Sequence, residues 1–188
     1  WRSCMVRLAD WNGPAGSLTN DLFIPAIMMT AGRGFANVEP GAVPGLRDFL
    51  DFRKQTFDSS VLASEGDVVP LHPFQEFHRY LIYTVAAVWR IFGVSWDAVK
   101  ILIALYFICS VWLVYFIGRL VCGRFISFFV ALFFIYAGAV QLIMPVLRDF
   151  AKAPFILAAI LVMGYAIRRP LSKEKFLFSA CGIGIILG

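Results

Sequence analysis

Two uncharged apolar runs in the second half of the chain constrain its fold more than any other feature. They cover residues 125–147 and 153–167 of a chain of 188 residues. The first run is long enough to cross the hydrocarbon core of a bilayer as a helix, which takes roughly 20 residues. The second is shorter, so Lys152 and Arg168 at its ends would have to extend towards the interface. The charged turn at 148–152 between the runs therefore predicts the tip of a transmembrane hairpin.

The composition favours a membrane protein over a soluble one. Hydrophobic residues make up 60% of the chain and charged residues 15%, a balance that soluble domains rarely reach. The net charge is +5, with positive residues at the ends of the apolar runs. That placement favours membrane orientation over nucleic-acid binding, so we expect no nucleic-acid partner. The four cysteines show no metal-ligand spacing, and we predict neither a zinc site nor a disulfide framework.

These features predict an all-α fold of polytopic membrane helices, with an outer loop that carries short interfacial helices. The outer loop, periplasmic or luminal, is residues 1–96, and the transmembrane region is residues 97–188. The chain starts at Trp1 and its last apolar run is short, so we expect an N-terminal fragment of a longer membrane protein, inactive by itself. The predicted membrane segments are about 98–118, 125–146, 153–167 and a truncated 176–188.

Lysine and arginine in the short turns predict the orientation. The turns at 119–124 and 168–175 hold six positive residues and one acidic residue. We therefore place both turns in the cytoplasm, and the 148–152 turn and the outer loop on the opposite face. The expected localisation is that of a multi-pass integral protein, in a bacterial inner membrane.

The stretch from His72 to Phe92 is the ambiguous element of the outer loop. Only ten uncharged residues separate Arg79 from Arg90, about half of what a span needs. Its helical spacing predicts a single amphipathic helix that lies along the membrane. The polar stripe is His72, Glu76, Arg79, Tyr83 and Arg90, with Gln75 beside it, and the apolar side is Phe74, Phe77, Leu81, Val85, Val88 and Trp89.

A shorter helix is predicted earlier in the outer loop, within residues 19–32. Asn20 or Asp21 would cap its start, Pro25 is tolerated in its first turn, and Gly32 would end it. Its apolar surface is larger than so short a helix needs, which favours a position on the membrane.

The order of these parts resembles the membrane glycosyltransferases of the GT-C fold that use polyprenyl-phosphate sugars, such as protein mannosyltransferases and aminoarabinose transferases. In that family an acid starts a membrane-parallel helix in the first outer loop. A His-Pro or Pro-Pro motif opens a second such helix, which ends in Phe-Gly before the next span. A basic turn with glycine follows that span, and a later outer loop often carries Arg-Asp. The matching stretches here are Asn20–Ala26, His72-Pro73-Phe74, Ile91-Phe92-Gly93, Gly118–Arg124 and Arg148-Asp149.

The resemblance implies an inverting sugar transfer at the outer membrane face. Asp21 would be the general base that activates an acceptor, whose identity stays open. The implied partners are membrane lipid and a polyprenyl-phosphate sugar donor, whose leaving phosphate needs cations. Some members of the family use a divalent metal ion and others do not, so no cofactor is certain and no metal ligand is assigned. The implied substrate-binding residues are His72, Gln75, Arg79, Arg148, Asp149 and Lys152.

Each candidate residue also has a simpler structural interpretation. Asp21 is among the preferred helix caps, and His72 suits a residue that enters a helix before proline. The 148–152 tip suits a solvated turn, and Arg79 and Arg90 suit binding to lipid headgroups.

Two other functions stay open. A transporter or flippase for a lipid-linked substrate would also be polytopic and basic. It favours ionisable residues inside spans and a pair of broken helices. The sequence indicates neither, since Gln141 and Lys100 lie near span ends and no pair of broken helices is evident. A non-catalytic assembly subunit would tolerate the loss of Asp21 and Asp149.

Overall fold

The computed structural model describes residue 11, residues 21–63 and residues 68–168. This described part is mostly helical, with one pair of very short strands, which agrees with the predicted helical class. The chain divides into two compact units, and the division falls between Ile103 and Ala104. The described residues up to 103 are called the N-terminal unit here, and the described residues from 104 the C-terminal unit.

The N-terminal unit is built from short helices and a two-residue β-pair. Its elements are a 3-10 turn at Asp21–Phe23, α1 at Ile24–Thr30, β1 at Asn37–Val38, a 3-10 turn at Pro40–Ala42, α2 at Leu46–Leu50, a 3-10 turn at Ser59–Ala63, β2 at Val68–Val69, α3 at Pro73–Phe77 and α4 at Arg79–Phe92. The strands pair antiparallel. Pro25 lies in the first turn of α1, and Gly32, with φ of 82°, lets the chain leave that helix in the left-handed conformation.

Large aromatic side chains from separate parts of the chain fill the core of the N-terminal unit. Trp96 is fully buried, stacks on Phe49 with ring centroids 4.8 Å apart, and meets Phe23 edge-on at 5.6 Å. Its indole Nε1 donates to the Phe49 carbonyl at 3.0 Å. The Trp89 indole donates to the Ser95 carbonyl at 2.8 Å, so both buried N–H groups have acceptors. Because truncating a buried Phe or Trp costs ~3–5 kcal/mol, this cluster is a main source of the unit's stability.

The inner face of α4 packs against α1. Leu81, Val85 and Trp89 are at most 1% exposed, whereas Arg79 and Tyr83 point to solvent. Within α4 the two stripes predicted from helical spacing are therefore present, and the apolar stripe of this helix is covered by protein. In α3 the prediction is wrong for Gln75, which was placed beside the polar stripe and is 2% exposed. The predicted position of α1 and α4 along a membrane stays a prediction.

The prediction of a single helix from His72 to Phe92 is wrong in one respect. The backbone of His78 (φ −108°, ψ 19°) leaves the helical conformation and separates α3 from α4. Its Nδ1 pairs with the Phe74 carbonyl at 2.9 Å, which supports the end of α3. Because the interruption shifts the helical phase, Phe77, predicted on the apolar side, is 80% exposed.

The C-terminal unit contains the long apolar helices. Its helices are α5 at Trp96–Val121, which begins in the N-terminal unit, then α6 at Arg124–Tyr136, α7 at Gly138–Ile143, α8 at Leu147–Phe150 and α9 at Ala153–Arg168. Within the described residues two stretches are long and apolar enough to cross a membrane, namely α5 and the 147–168 stretch that α8 and α9 form. The predicted segment 176–188 and the turn beyond 168 lie outside the described residues.

The second predicted span, 125–146, is not one continuous helix. Ala137 adopts an extended backbone (φ −61°, ψ 120°), which separates α6 from α7. Gly138 follows, and glycine is a poorer helix former than alanine by about 1 kcal/mol. Gln141 Nε2 donates to the Ile135 carbonyl at 3.4 Å, a group that an unbroken helix would satisfy with its own backbone. This span therefore contains one break, whereas the sequence indicated no pair of broken helices.

Small residues bring the helices of the C-terminal unit close together. A Cβ added at Gly118 of α5 would lie 3.2 Å from the Cβ of Ser127 of α6. A Cβ added at Gly164 of α9 would lie 2.6 Å from Leu120 Cδ1 of α5. Small residues at helix contacts let backbones approach closely, as is typical of helices that pack in membranes.

The helices α5 and α9 run parallel. Tyr106 meets Phe155 edge-on at 6.4 Å between ring centroids, and further along both helices Leu120 contacts Gly164. Two neighbouring parallel helices require the chain to return between them, and α6 with α7 supplies that return. This is the helix order that the hairpin interpretation predicts.

Candidate functional site

Asp21, the predicted general base, opens the 3-10 turn that leads into α1. Its side chain is 56% exposed, and its Oδ1 lies 3.7 Å from Nη1 of Arg47 in α2. The N-cap of α1 is Phe23, with no side-chain cap hydrogen bond, so Asp21 does not cap that helix. The carboxylate of Asp21 is therefore accessible from solvent.

Gln75 joins Asp21 to the His72-Pro73 motif. Its side chain is buried, with 2% of the residue exposed. Its Nε2 donates to the main-chain carbonyl of Asp21 at 2.7 Å, across 54 residues of sequence. Its Oε1 accepts from the backbone N–H of His72 at 3.0 Å. Three of the residues predicted from the sequence are thus held together by one side-chain amide.

His72 is the N-cap of α3 and its backbone is extended (φ −79°, ψ 139°). Its Nδ1 accepts a hydrogen bond from the Phe74 N–H at 3.1 Å. A neutral imidazole that accepts at Nδ1 carries its proton on Nε2. The exposed ring therefore offers an Nε2–H donor to solvent, which is a group that phosphate oxygens accept from.

The two arginines of α4 have different surroundings. Arg90 Nη2 donates to the Met29 carbonyl at 3.0 Å, near the end of α1. That bond gives Arg90 a structural role that the lipid-headgroup interpretation did not anticipate. Arg79 is exposed at the first position of α4, immediately after His78. It is the better placed of the two for an anionic ligand.

Arg47 is the residue of this site that sequence reasoning missed. It pairs with Asp21 and also donates from Nε to Asp51 Oδ2 at 3.3 Å. The i,i+4 spacing of Arg47 and Asp51 was a visible signal for an exposed helix face. Nothing in the spacing linked Arg47 to Asp21, because that contact is made only when the N-terminal unit folds around its aromatic core.

The 148–152 tip is partly helical rather than an open turn. Arg148 and Asp149 lie on α8, where Arg148 Nε and Nη2 each lie 3.3 Å from a carboxylate oxygen of Asp149. Leu147 and Phe150 are buried and anchor the tip, while Lys152 is exposed. The tip therefore carries an acidic and a basic side chain, paired with each other, on the short helix α8.

The predicted proximity of Asp21 and Asp149 stays a prediction. Asp21 belongs to the N-terminal unit and Asp149 to the C-terminal unit. Among the described residues, no three His, Cys, Asp or Glu side chains are grouped so that they could hold a metal ion. The pKa of Asp58 is lowered by hydrogen bonds from the side chain and backbone of Ser60, and this carboxylate supports its own turn rather than the site.

Comparisons of this chain with protein-family models, with curated proteins and with solved structures find no match.

Proposed function

We propose that this chain is part of a membrane glycosyltransferase of the GT-C fold, which moves a sugar from a polyprenyl phosphate to an acceptor at the outer membrane face. The observation that supports it most is the Gln75 link between Asp21 and His72. A general base and a phosphate-binding donor must serve one reacting centre, and the link brings together the main chains that carry them.

In the proposed reaction Asp21 takes the proton of the acceptor hydroxyl or amine as that group attacks the anomeric carbon. The bond from this carbon to the phosphate oxygen breaks, with inversion, and polyprenyl phosphate leaves. The Nε2–H of His72 and the guanidinium of Arg79 donate to the phosphate oxygens as negative charge develops. The residues proposed to bind substrate from the later tip are Arg148, Asp149 and Lys152.

The proposed protein is a multi-pass integral protein of a bacterial inner membrane. Support comes from α5 and the 147–168 stretch, which are long and apolar enough to cross a bilayer. Its proposed partners are membrane lipid and the polyprenyl-phosphate sugar, and the proposed mechanism requires no metal ion.

The decisive test is Asp21→Asn in the full-length protein, assayed for sugar transfer from a polyprenyl-phosphate donor. Asparagine keeps the shape of the side chain but cannot take a proton. We expect turnover to fall by ~10²–10⁴-fold, the usual contribution of a general base. Near wild-type turnover would exclude Asp21 as the base.

Asp48→Asn is the matched control. Asp48 is a partly exposed aspartate of the same unit, and it pairs with Arg53 at 3.7 Å rather than with Arg47. We expect this variant to keep wild-type turnover, so that loss of activity in Asp21→Asn reports chemistry rather than a general effect of removing a carboxylate.

The discontinuity at Ala137 supports a second candidate, a transporter or flippase of a lipid-linked substrate. Broken helices in transporters expose backbone groups to substrates and ions. Translocation of a labelled polyprenyl-linked sugar across proteoliposomes separates the two candidates. A flippase would translocate the lipid as fast in the Asp21→Asn variant as in the wild type. The proposed transferase would transfer the sugar, and that transfer would depend on Asp21.

A further inference from the structure

We infer that Gln75 is a positioning residue, which sets the place of Asp21 by holding its main chain, and that it does not contact substrate. The inference rests on the proposed role of Asp21 as the base. It changes the role that the family resemblance implied for Gln75, which was substrate binding.

The burial of Gln75 supports a role within the protein. The residue is 2% exposed, and both polar atoms of its amide are bonded to backbone groups. A substrate-binding amide would have to present one of these atoms to the ligand. Doing so would break a bond to a backbone group that is held in the interior, and an unpaired buried polar group is costly.

Asp21 depends on its main chain for its position. Its carboxylate is more than half exposed, and the Arg47 nitrogen at 3.7 Å is too far for a hydrogen bond of good geometry. On one side of Asp21 the buried Leu22 and Phe23 fix the chain. The Gln75 bond fixes the carbonyl of Asp21 itself, so the root of the side chain is held at two points.

The same amide also fixes His72. Because Oε1 accepts from the His72 N–H while Nε2 donates to the Asp21 carbonyl, the two main chains cannot move apart without breaking a bond. The base and the Nε2–H donor are therefore held at one separation. Catalysis is sensitive to such placement, since a shift of about 1 Å can cost ~10²-fold in rate.

The first test is Gln75→Met in the full-length protein, with kcat and KM measured for a polyprenyl-phosphate sugar. Methionine fills a similar volume and can make neither bond. We expect kcat to fall on the order of 10²-fold, with a smaller change in KM, because the acceptor is bound but the base is misplaced. Near wild-type kcat overturns the inference.

The matched control is Arg33→Met. Arg33 Nη1 donates to the Leu62 carbonyl at 2.8 Å across 29 residues, a side-chain tie of similar length in the same unit. We expect this variant to lower the Tm as Gln75→Met does and to keep kcat. If kcat falls equally in both variants at equal loss of Tm, Gln75 acts only through stability and the inference fails.

The second test is Gln75→Glu, followed against pH. An ionised carboxylate at position 75 still accepts from His72 but cannot donate to the Asp21 carbonyl, whereas a protonated one does both. Burial raises the pKa of such a carboxyl, so the donating form accumulates as pH falls through that raised value. We expect kcat relative to wild type to recover at acid pH in this variant and not in Gln75→Met.

Comparison with wild type at each pH removes the titration of nearby groups, which are Asp21, His72, Glu76, His78 and the charge of Arg47. Absence of acid recovery overturns the inference. Hydrogen exchange of the His72 amide gives a readout independent of activity, because Gln75→Met should remove its protection.

The outcomes separate this inference from the proposed function. If no sugar transfer is detected with the wild-type protein, the proposed function fails whatever Gln75 does, and if Asp21→Asn keeps wild-type turnover, the assignment of Asp21 as the base fails and the positioning role of Gln75 with it. If Asp21→Asn is inactive while Gln75→Met keeps its kcat, only the positioning role fails.

Discussion

The core of the N-terminal unit and helix α6 of the C-terminal unit place their phenylalanines in opposite surroundings. Phe23 and Phe49 of the N-terminal unit are fully buried, whereas Phe125, Phe129 and Phe133 of α6 are between 64% and 80% exposed. Contiguous apolar surface of that kind is unfavourable in water and favourable in lipid. Phenylalanine therefore stabilises the core of the N-terminal unit through its burial from water, and it makes the surface of α6 suited to contact with lipid.

The units also satisfy buried polar groups differently. Gln75 reaches a carbonyl 54 residues away. Ser110 and Ser127, buried in the C-terminal unit, donate to carbonyls four residues earlier in the chain, at 2.8 Å and 2.9 Å. Local satisfaction is what an apolar environment demands of a helix. Long-range ties make the first unit depend on its whole sequence being assembled.

Labelling from the two sides of the membrane gives the largest expected difference. In a cysteine-free background of the full-length protein, Lys152→Cys should react with an impermeant maleimide from outside, and Arg124→Cys only when the inside is accessible. The reason is the concentration of Lys and Arg in the turns placed in the cytoplasm. Labelling of both positions from one side would contradict the helix order proposed for the C-terminal unit in the membrane.

Phenylalanine truncation compares the two cores directly. Phe49→Ala removes a fully buried ring that contacts Trp89 and Trp96, and should lower the free energy of unfolding by ~3–5 kcal/mol. Phe129→Ala removes a ring that is 64% exposed, and should change the stability in detergent far less. Thermal unfolding of both variants measures the difference, and equal losses would show that α6 is packed against protein.

Glycine substitution tests the close packing of the C-terminal helices. Gly164→Ala places a Cβ 2.6 Å from Leu120 Cδ1, so the end of that side chain must shift, at a cost of about 1 kcal/mol, the low end for overpacking. Gly138→Ala, where no heavy atom lies within 4 Å, is the control and should cost little. Adding Leu120→Ala to Gly164→Ala should restore part of the Tm, and no restoration would place the strain elsewhere.

The smallest expected effect comes from Gln141, which bonds within the discontinuous span. Gln141→Leu removes the 3.4 Å bond to the Ile135 carbonyl, and side-chain bonds between membrane helices average about 0.6 kcal/mol. We expect a Tm close to wild type. For comparison, Gln75→Leu should lower the free energy of unfolding by ~1–3 kcal/mol, because it leaves a buried backbone group unsatisfied. An equally large loss in Gln141→Leu would mean that the break at Ala137 depends on Gln141.

The positions of the long helices could be predicted because length and apolar character decide them locally. The predicted segments 98–118 and 153–167 both lie within described helices. The break at Ala137 could not, since Gly138 alone is compatible with an unbroken helix at modest cost. The interruption at His78 was equally hidden, because the sequence on its two sides matches the pattern of one amphipathic helix.

The candidate site was only partly predictable. Asp21 and His72 were chosen from the order of motifs, and the structure links their main chains through Gln75. The burial of Gln75 could not be foreseen, because helical spacing placed it beside the polar stripe and its bond to the Asp21 carbonyl is made only by tertiary folding. Arg47 was missed for the same reason, since no local pattern reports a contact made by tertiary folding.

The position of Trp96 bears on the order in which the chain matures. Trp96 is the first residue of α5, and its ring belongs to the aromatic core of the N-terminal unit. Its backbone N–H donates to the Gln55 carbonyl at 3.1 Å. During synthesis the N-terminal parts emerge first. The N-terminal unit therefore lacks a stacked ring of its own core until residue 96 has left the ribosome. Its core is complete only once α5 has begun to emerge behind it.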